Sequence, residues 1–268
     1  MSMSDQLAAI ILGLVQGLTE FLPVSSTAHL IIVSDALKLD PEKFGLSFDV
    51  ALHMGTALAV LLYFAGTWIG LIADVARGRW RLPLVVVVGT IPAAIAGVLL
   101  ETAVSTTLRS VVFIAIGLLV GSAIFVLAER IGVRARKLDQ VTLTDALVVG
   151  VAQAIALVPG ISRSGITISA GLFRGLERGD ATRFAFLLST PVILGAGVKT
   201  LLDARKLSGL TAQLDIVAIG FAVSFLSGLA AVAFMVRYLR THSLNVFAIY
   251  RVALAAVILV AYALGGLG

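Results

Sequence analysis

The run Gly13-Leu-Val-Gln-Gly-Leu-Thr-Glu-Phe-Leu-Pro-Val-Ser-Ser-Thr-Ala-His29 interrupts an apolar stretch that extends from Leu7 to Ser34. A second apolar stretch, from Leu143 to Leu172, is interrupted by Pro159-Gly-Ile-Ser-Arg-Ser-Gly-Ile-Thr167. Proline and glycine break helices, and broken backbone at membrane depth persists only where it is buried in protein or lines a wet cavity. Each stretch therefore predicts a re-entrant pair of short helices, with a plain membrane span as the alternative.

The composition of the chain places it in a membrane. Of its 268 residues, 59% are hydrophobic and 13% are charged, against roughly 45–50% and about 25% in soluble domains. The absence of cysteine excludes disulfides and thiolate sites. A membrane-crossing helix needs about 20 apolar residues, and six uninterrupted stretches qualify: Ser47–Gly66, Leu82–Leu100, Ser110–Ala128, Phe184–Leu202, Asp215–Val236 and Val246–Gly265.

An internal repeat relates the two interrupted stretches. Gly13–Gln16 resembles Gly150–Gln153, and each run leads to a proline with a serine three residues later, at Pro23–Ser26 and Pro159–Ser162. The two prolines are 136 residues apart, close to half the chain. The pattern indicates two repeats within one integral membrane domain.

The predicted fold is therefore an all-α polytopic membrane protein spanning 1–268, with a first repeat at 1–130 and a second, inverted repeat at 140–268. Each repeat has one re-entrant helix pair and three spans, and the odd number of spans inverts the second repeat relative to the first. The alternative is a bundle of eight plain spans.

The charges of the loops predict the orientation of the chain. Basic residues concentrate on cytoplasmic loops, so the net charge of +5 needs no nucleic acid to explain it. The loops predicted to be cytoplasmic hold Arg77, Arg79, Arg81, Arg130, Arg134, Arg136, Lys137, Arg174, Arg178, Arg183, Arg237 and Arg240. The opposite loops hold fewer: Lys38, Lys43, Arg109, Arg205 and Lys206. Both termini are then outside, and the two breaks meet near the middle of the bilayer.

Three ionisable residues lie within the two interrupting runs, Gly13–His29 and Pro159–Thr167: Glu20, His29 and Arg163. An ionisable group inside a membrane is costly and needs a partner or water. Gln16 lies four residues before Glu20, on the same helical face. A helix that starts after Pro23 offers free backbone N–H groups to an anion, and a guanidinium matches phosphate. The combination favours a phosphorylated ligand, although Glu20 and Arg163 could also form a purely structural ion pair.

Other polar residues have structural interpretations. Asp49 and His53 share a helical face at the end of the first full span, where hydrogen bonding is favoured over a role at the entrance of a site. Lys199 and Arg251 lie near the ends of spans, where long side chains can reach the interface. The sequence therefore assigns no chemistry to Lys199 and Arg251.

The two interrupted runs resemble signatures of a known family. Gln16-Gly-Leu-Thr-Glu20 and the residues that follow it, up to His29, resemble the first signature of the undecaprenyl pyrophosphate phosphatase (bacitracin-resistance) family. Pro159–Thr167 matches the second, Pro-Gly-x-Ser-Arg-Ser-x-x-Thr, at every fixed position. The resemblance implies hydrolysis of undecaprenyl pyrophosphate to the monophosphate, which recycles the lipid carrier for cell-wall synthesis and confers bacitracin resistance. It also implies an interdigitated inverted-repeat fold.

The resemblance implies roles for the first run. Ser26 resembles the nucleophile, and His29 the histidine that assists it or attacks in its place. Glu20 resembles the essential carboxylate, and Gln16 stands where some members have a second glutamate. Gln16 and Glu20 are accordingly the expected ligands of a divalent cation, Mg²⁺ or Ca²⁺.

In the second run, Arg163 resembles the phosphate clamp, together with Ser162 and Thr167, and Thr27 of the first run is a further candidate phosphate ligand. The resemblance further implies homodimers and a bacterial inner-membrane location, with the active site opening to the outer face. Two other functions stay open from the residues alone: a transporter or lipid flippase, because inverted repeats with broken helices are a transporter design, and a non-catalytic scaffold.

Overall fold

The computed structural model describes residues 4–100, 110–202 and 213–265, and in these ranges the regular structure is helical, without strands. The eleven α-helices of the described ranges are α1 (Asp5–Phe21), α2 (Ser26–Ala36), α3 (Leu46–Tyr63), α4 (Ala65–Ala76), α5 (Arg81–Leu99), α6 (Val111–Ile131), α7 (Leu143–Ile155), α8 (Arg163–Phe173), α9 (Arg178–Leu202), α10 (Leu214–Tyr238) and α11 (Asn245–Ala263).

The predicted spans are confirmed, and one of them is bent. Helices α5, α6, α9, α10 and α11 are long and apolar enough to cross a membrane. The span predicted at Ser47–Gly66 corresponds to α3 and the beginning of α4, which meet at an angle of 69°. The backbone of Phe64 leaves the helical region at this point, with φ −98° and ψ 19°. The chain is thus an all-α polytopic membrane protein.

The two interrupted stretches form helix pairs, α1 with α2 and α7 with α8. Helices α2 and α8 have 11 residues each, so each is about 16 Å long, while the hydrocarbon layer is about 30 Å thick. Neither can cross a membrane alone. The described helices therefore match the predicted re-entrant pairs better than plain spans.

The two pairs begin at opposite faces of the bundle. Asp5, at the start of α1, forms an ion pair of 2.6 Å with Lys43 in the loop before α3, and Ala8 packs in one cluster with Ile216 near the start of α10. Helix α10 leads to the other face, where the backbone N–H of Leu244 donates to Glu129 near the end of α6. There the loop after α6 bonds Asp145 at the start of α7. The first pair thus enters from one face and the second from the other.

Arginines gather at the face where α7 begins, which we call the arginine face. Two buried carboxylates hold them there: Glu129 with Arg134 and Arg178, and Asp145 with Arg136 and Arg174. Arg81 donates to the carbonyl oxygen of Asp139 at the same face. Of the opposite loop residues, Arg109, Arg205 and Lys206 lie outside the described residues.

Helices from the two halves of the chain alternate in the bundle. Helix α10 packs against α1 and α3, α5 packs against α7, and α6 packs against α11. The close crossings use small residues, since a Cβ on Gly17 would collide with Ser227 of α10, and a Cβ on Gly150 would collide with Gly89 of α5. The division into repeats at 1–130 and 140–268 stays a prediction, which this order of elements favours.

Candidate active site

Each re-entrant pair turns at a serine with an unusual backbone. Ser25 (φ 75°) and Ser162 (φ 74°) occupy the left-handed region and immediately precede α2 and α8. The first helical residues are therefore Ser26 and Arg163. The sequence repeat had paired Ser26 with Ser162 instead. The difference of one residue arises at Gly160, which adopts φ 91° in the longer second turn, a conformation that glycine adopts without steric cost.

Glu20, near the end of α1, is the centre of the site. Its carboxylate accepts a hydrogen bond of 2.6 Å from Ser26 Oγ and one of 3.1 Å from Gln16 Nε2, both at Oε2. Arg163 Nη2 lies 3.2 Å from Oε1. Because the Glu20 side chain is 4% exposed, these contacts supply the partners that a buried charge requires.

The two turns are joined directly as well as through Glu20. Ser164 Oγ, in the first turn of α8, donates to the carbonyl oxygen of Leu22 at the end of α1. The ends of the two interrupted segments therefore lie side by side, and a serine and a guanidinium from different halves of the chain share one carboxylate.

A cavity of about 580 Å³ opens at this junction. Its polar end is formed by Glu20, Ser26, Ser162 and Arg163. The other walls come mainly from the second half of α5 and the second half of α9, and they are largely small or apolar: Ala93, Ala94, Gly97, Val98, Pro191, Val192, Ile193, Gly195, Ala196 and Gly197. The cavity therefore suits a ligand with one charged end and a long apolar body.

Helices α2 and α8 both begin at this cavity. Ser26 and Thr27 of α2 line it, as does Arg163 of α8. The first amides of a helix have no partner within the helix and carry the positive end of its dipole. Two such ends at one cavity, together with Arg163, make its polar end suitable for an anion with several oxygens.

His53 of α3 is the histidine that reaches this site. Its Nε2 lies 3.6 Å from Glu20 Oε2, and its Nδ1 lies 2.7 Å from the carbonyl oxygen of Asp49. A carbonyl oxygen can only accept a hydrogen bond, so Nδ1 carries a proton. The sequence had favoured a structural role for His53 and Asp49, but both residues line the cavity.

His29 is held elsewhere. Its Nδ1 lies 2.8 Å from the carbonyl oxygen of Ser25, and its Nε2 lies 2.7 Å from the hydroxyl of Tyr250 on α11. Among the described residues, His29 is not one of those that line the cavity. Both ring nitrogens are thus engaged away from Ser26 Oγ.

The candidate phosphate ligands fall into two groups. Ser162, Arg163 and Thr27 line the cavity. Thr167 is not among the described residues that line it: its hydroxyl donates to the carbonyl oxygen of Arg163 and its side chain is buried. Ser162 Oγ also accepts from the backbone N–H of Gly165, 3.4 Å away, and so caps α8.

Gln16 and Glu20 are the expected cation ligands. Gln16 is fully buried, its Nε2 donates to Glu20 Oε2, and its Oε1 has no hydrogen-bond partner. Within the described residues, no group of three or more histidines, cysteines or acidic side chains could hold a metal. The two oxygens fit a cation that takes most of its ligands from phosphate and water, as Mg²⁺ usually does.

Arg251 is buried, so the prediction that it lies at the membrane interface is wrong. The residue was expected to extend towards the membrane interface, but its side chain is fully buried and the guanidinium contacts the backbone of both turns. A sequence signal did exist, since Arg251 is the one charged residue within Val246–Gly265. Its position alone does not show which face of α11 packs inward.

Comparison with known proteins gives the family of the chain. Residues 9–257 match the family model described as bacitracin resistance protein BacA. A protein of Gemmatimonas aurantiaca named undecaprenyl-diphosphatase is 45% identical over 260 residues, which cover 93% of this chain and 95% of the relative. A protein of Desulforudis audaxviator with the same name is 42% identical, over 96% of this chain and 98% of the relative. The chain belongs to the BacA family of bacitracin resistance proteins.

Proposed function

We propose that this protein is an integral membrane phosphatase that hydrolyses undecaprenyl pyrophosphate to undecaprenyl phosphate and inorganic phosphate. The names of its relatives give the reaction. The observation that carries the proposal is the cavity, which joins a buried carboxylate, a serine and an arginine to a long apolar groove. This reaction would recycle the lipid carrier for cell-wall synthesis and explain bacitracin resistance.

Ser26 is the proposed nucleophile. Its Oγ attacks the terminal phosphorus, its proton passes to Glu20 Oε2 at 2.6 Å, and the bond to the bridging oxygen breaks so that undecaprenyl phosphate leaves. A serine needs an adjacent base to become nucleophilic, and Glu20 is in direct contact with it. His29 is not proposed as the attacking group, because its two nitrogens contact Ser25 and Tyr250.

Water then hydrolyses the phosphoserine. Glu20 has received the proton of Ser26 and can return it to Oγ as the P–O bond breaks, while the attacking water releases its proton to His53 or to solvent in the cavity. Phosphoryl transfer depends mainly on positioning and on neutralising phosphate oxygens. Arg163 and the first amides of α2 and α8 supply positive charge for this purpose.

A divalent cation is part of the proposal. Gln16 and Glu20 would hold it, and when bound it would neutralise oxygens of the pyrophosphate. Removal of Mg²⁺ and Ca²⁺ with a chelator is expected to abolish turnover, and re-addition of either ion to restore it. Full activity in the chelator would exclude this part of the proposal.

The proposed location is the bacterial inner membrane, with the cavity open to the outer side. Loops rich in basic residues are usually cytoplasmic, and the loops at the arginine face are of this kind. The cavity extends from the two turns towards Leu100, at the end of α5, and Lys199, near the end of α9. Both helices begin at the arginine face, so this direction leads to the opposite side. The single-cysteine variants Arg79→Cys and Glu42→Cys, labelled in intact cells, test the orientation.

The homodimer that the resemblance implies stays a prediction. Light scattering of the purified protein in detergent micelles measures the mass of the assembly and distinguishes a monomer of 27.9 kDa from a dimer.

The activity is tested by phosphate release from undecaprenyl pyrophosphate by the purified protein. Arg163→Ala and Glu20→Ala are expected to abolish release, while Arg79→Ala, which alters an exposed pair with Asp74, keeps it. Movement of the lipid across liposomes without phosphate release would favour a flippase. Near wild-type release by both site variants would contradict the site.

A further inference from the structure

Arg251 is a buried cation that binds carbonyl oxygens in both turns. Its Nη2 donates to the carbonyl oxygen of Gly160, 2.8 Å away, and its Nη1 donates to that of Pro23 at 3.4 Å. Nη2 also lies 3.2 Å and 3.1 Å from the carbonyl oxygens of Gly117 and Leu118 in α6. One side chain of α11 thus connects both turns to a spanning helix.

The two carbonyl groups in the turns depend on this side chain. Among the described residues, no backbone N–H bonds to the carbonyl oxygen of Pro23 or Gly160, because both lie where a helix is broken. A buried carbonyl oxygen without a partner is costly, and lipid offers none. Arg251 therefore satisfies the backbone at the two positions where the fold departs from helix.

The surroundings are shaped for a guanidinium group. Nε donates to Ser122 Oγ at 3.2 Å, and the guanidinium carbon lies 4.6 Å from the centre of the Phe125 ring. A Cβ on Gly121 would collide with Nη2. Lysine carries the same charge but has one nitrogen, so it cannot reach both turns, α6 and Ser122 together.

The two carbonyl groups that Arg251 binds in the turns lie at the same distance along the chain from a reacting residue. Pro23 lies three residues before Ser26, and Gly160 lies three residues before Arg163. Ser26 and Arg163 approach Glu20 from different turns, so the relative position of the turns determines whether both contacts form. Arg251 binds both turns and therefore, together with the bond from Ser164 to Leu22, constrains that position.

We propose that Arg251 is a positioning residue for the phosphatase reaction, which holds the two turns in register through the carbonyl oxygens of Pro23 and Gly160. It aligns Ser26, Glu20 and Arg163 without being one of the residues that line the cavity. The inference rests on the proposed function. It predicts that loss of the guanidinium lowers kcat and leaves KM for the lipid nearly unchanged.

The test compares Arg251→Lys and Arg251→Ala with the wild type in phosphate release from undecaprenyl pyrophosphate. A small misplacement of reacting groups costs about 100-fold in rate, so kcat should fall by about that factor in both variants. Added guanidinium ion should partly restore Arg251→Ala and leave Arg251→Lys unchanged. A role limited to stability would produce neither the selective loss of kcat nor the rescue.

Gly121→Ala provides a second variant, which keeps the charge and displaces the guanidinium. It should lower kcat, and because the added Cβ would also lie 2.7 Å from the carbonyl oxygen of Ile161 in the second turn, it should lower the melting temperature in detergent as well. Gly70→Ala on α4, where an added Cβ meets nothing within 4 Å, is the matched control and should keep wild-type kcat.

The outcomes separate the two proposals. If the wild type releases no phosphate, the proposed function fails. If the wild type is active and the folded Arg251→Lys and Gly121→Ala variants keep kcat within about twofold, the positioning role is overturned. It is also overturned if KM rises while kcat is unchanged, or if all three variants fail to fold, because Arg251 would then serve binding or folding.

Discussion

Ser26 Oγ donates a hydrogen bond of 2.6 Å to Glu20 Oε2, across the break between α1 and α2. The contact joins a hydroxyl at the start of one helix to a carboxylate near the end of the preceding one. The same carboxylate contacts Arg163 from the other half of the chain. Arg163 therefore keeps Glu20 ionised, and the ionised carboxylate is placed to take the proton of Ser26.

Glu20→Gln tests the base. The amide keeps the size of the side chain, but it has one acceptor oxygen in place of two, so it can accept from Ser26 or from Arg163 and cannot take up the proton. We expect kcat to fall by about 10²–10⁴, the usual contribution of a general base. Phosphate release under saturating lipid measures it. Glu42→Gln, at an exposed position, should leave kcat unchanged. A Glu20→Gln enzyme with wild-type kcat would exclude Glu20 as the base.

Arg163→Lys tests the shape of the cation. Lysine keeps the charge but cannot both contact Glu20 Oε1 and present a planar pair of N–H groups to phosphate. We expect kcat/KM to fall by about 100-fold, roughly 2.7 kcal/mol of transition-state stabilisation. Arg79→Lys at an exposed pair is the control. If both variants retained wild-type kcat/KM, charge alone would suffice at position 163.

Replacement of His53 should lower activity, whereas replacement of His29 should mainly lower stability. His53 lines the cavity and lies 3.6 Å from Glu20, so His53→Ala is expected to lower kcat by about tenfold or more, as loss of a proton-transfer group does. His29→Ala removes the contact with Tyr250 and should mainly lower the melting temperature. The exposed His242 is the control. A larger loss of kcat in folded His29→Ala than in His53→Ala would show that His29 takes part in the reaction.

The apolar groove should select for the lipid chain. Gly97 lines the cavity, and a Cβ added there meets nothing within 4 Å, so Gly97→Phe would project its ring into the groove. We expect KM for undecaprenyl pyrophosphate to rise by at least about tenfold, with little change for a short isoprenyl pyrophosphate. Gly66→Phe, on an exposed part of α4, is the control. An equal effect on both substrates would place the chain elsewhere.

The arginine face should contribute stability. Asp145 is fully buried and bonds Arg136, Arg174 and Thr142, so Asp145→Asn leaves two arginines without their carboxylate. Breaking a buried pair of this kind costs about 3 kcal/mol, which unfolding by denaturant in detergent measures. Asp139→Asn at an exposed position is the control. Equal stability of the two variants would show that the cluster contributes nothing.

The sequence predicted the helices and breaks well because hydropathy, proline and glycine act locally. The re-entrant pairs and the apolar spans follow from such signals, and the repeat together with the loop charges predicted that the two breaks would meet. The bend at Phe64 does not, because neither proline nor glycine occupies that position. The register of the second turn also differed by one residue, since Gly160 lengthens it.

What the sequence could not predict were contacts that depend on which helices are neighbours. His53 and Glu20 are 33 residues apart along the chain, and they approach each other because α3 and α1 lie side by side. Arg251 is buried because its face of α11 packs against α6, whereas hydropathy alone suggested a residue near the membrane interface. The structure places His53 in the wall of the cavity and Arg251 between the two turns, and the sequence assigned neither residue to these places.

The most direct test of the account is the identification of the phosphorylated residue. Acid quenching of the enzyme during turnover of pyrophosphate-labelled lipid, followed by mass spectrometry of peptides, shows which residue carries phosphate. The account predicts a phosphoserine at Ser26 in the wild type and none in Ser26→Ala, which should also lose phosphate release. Phosphate on His29, or undiminished turnover by Ser26→Ala, would contradict it.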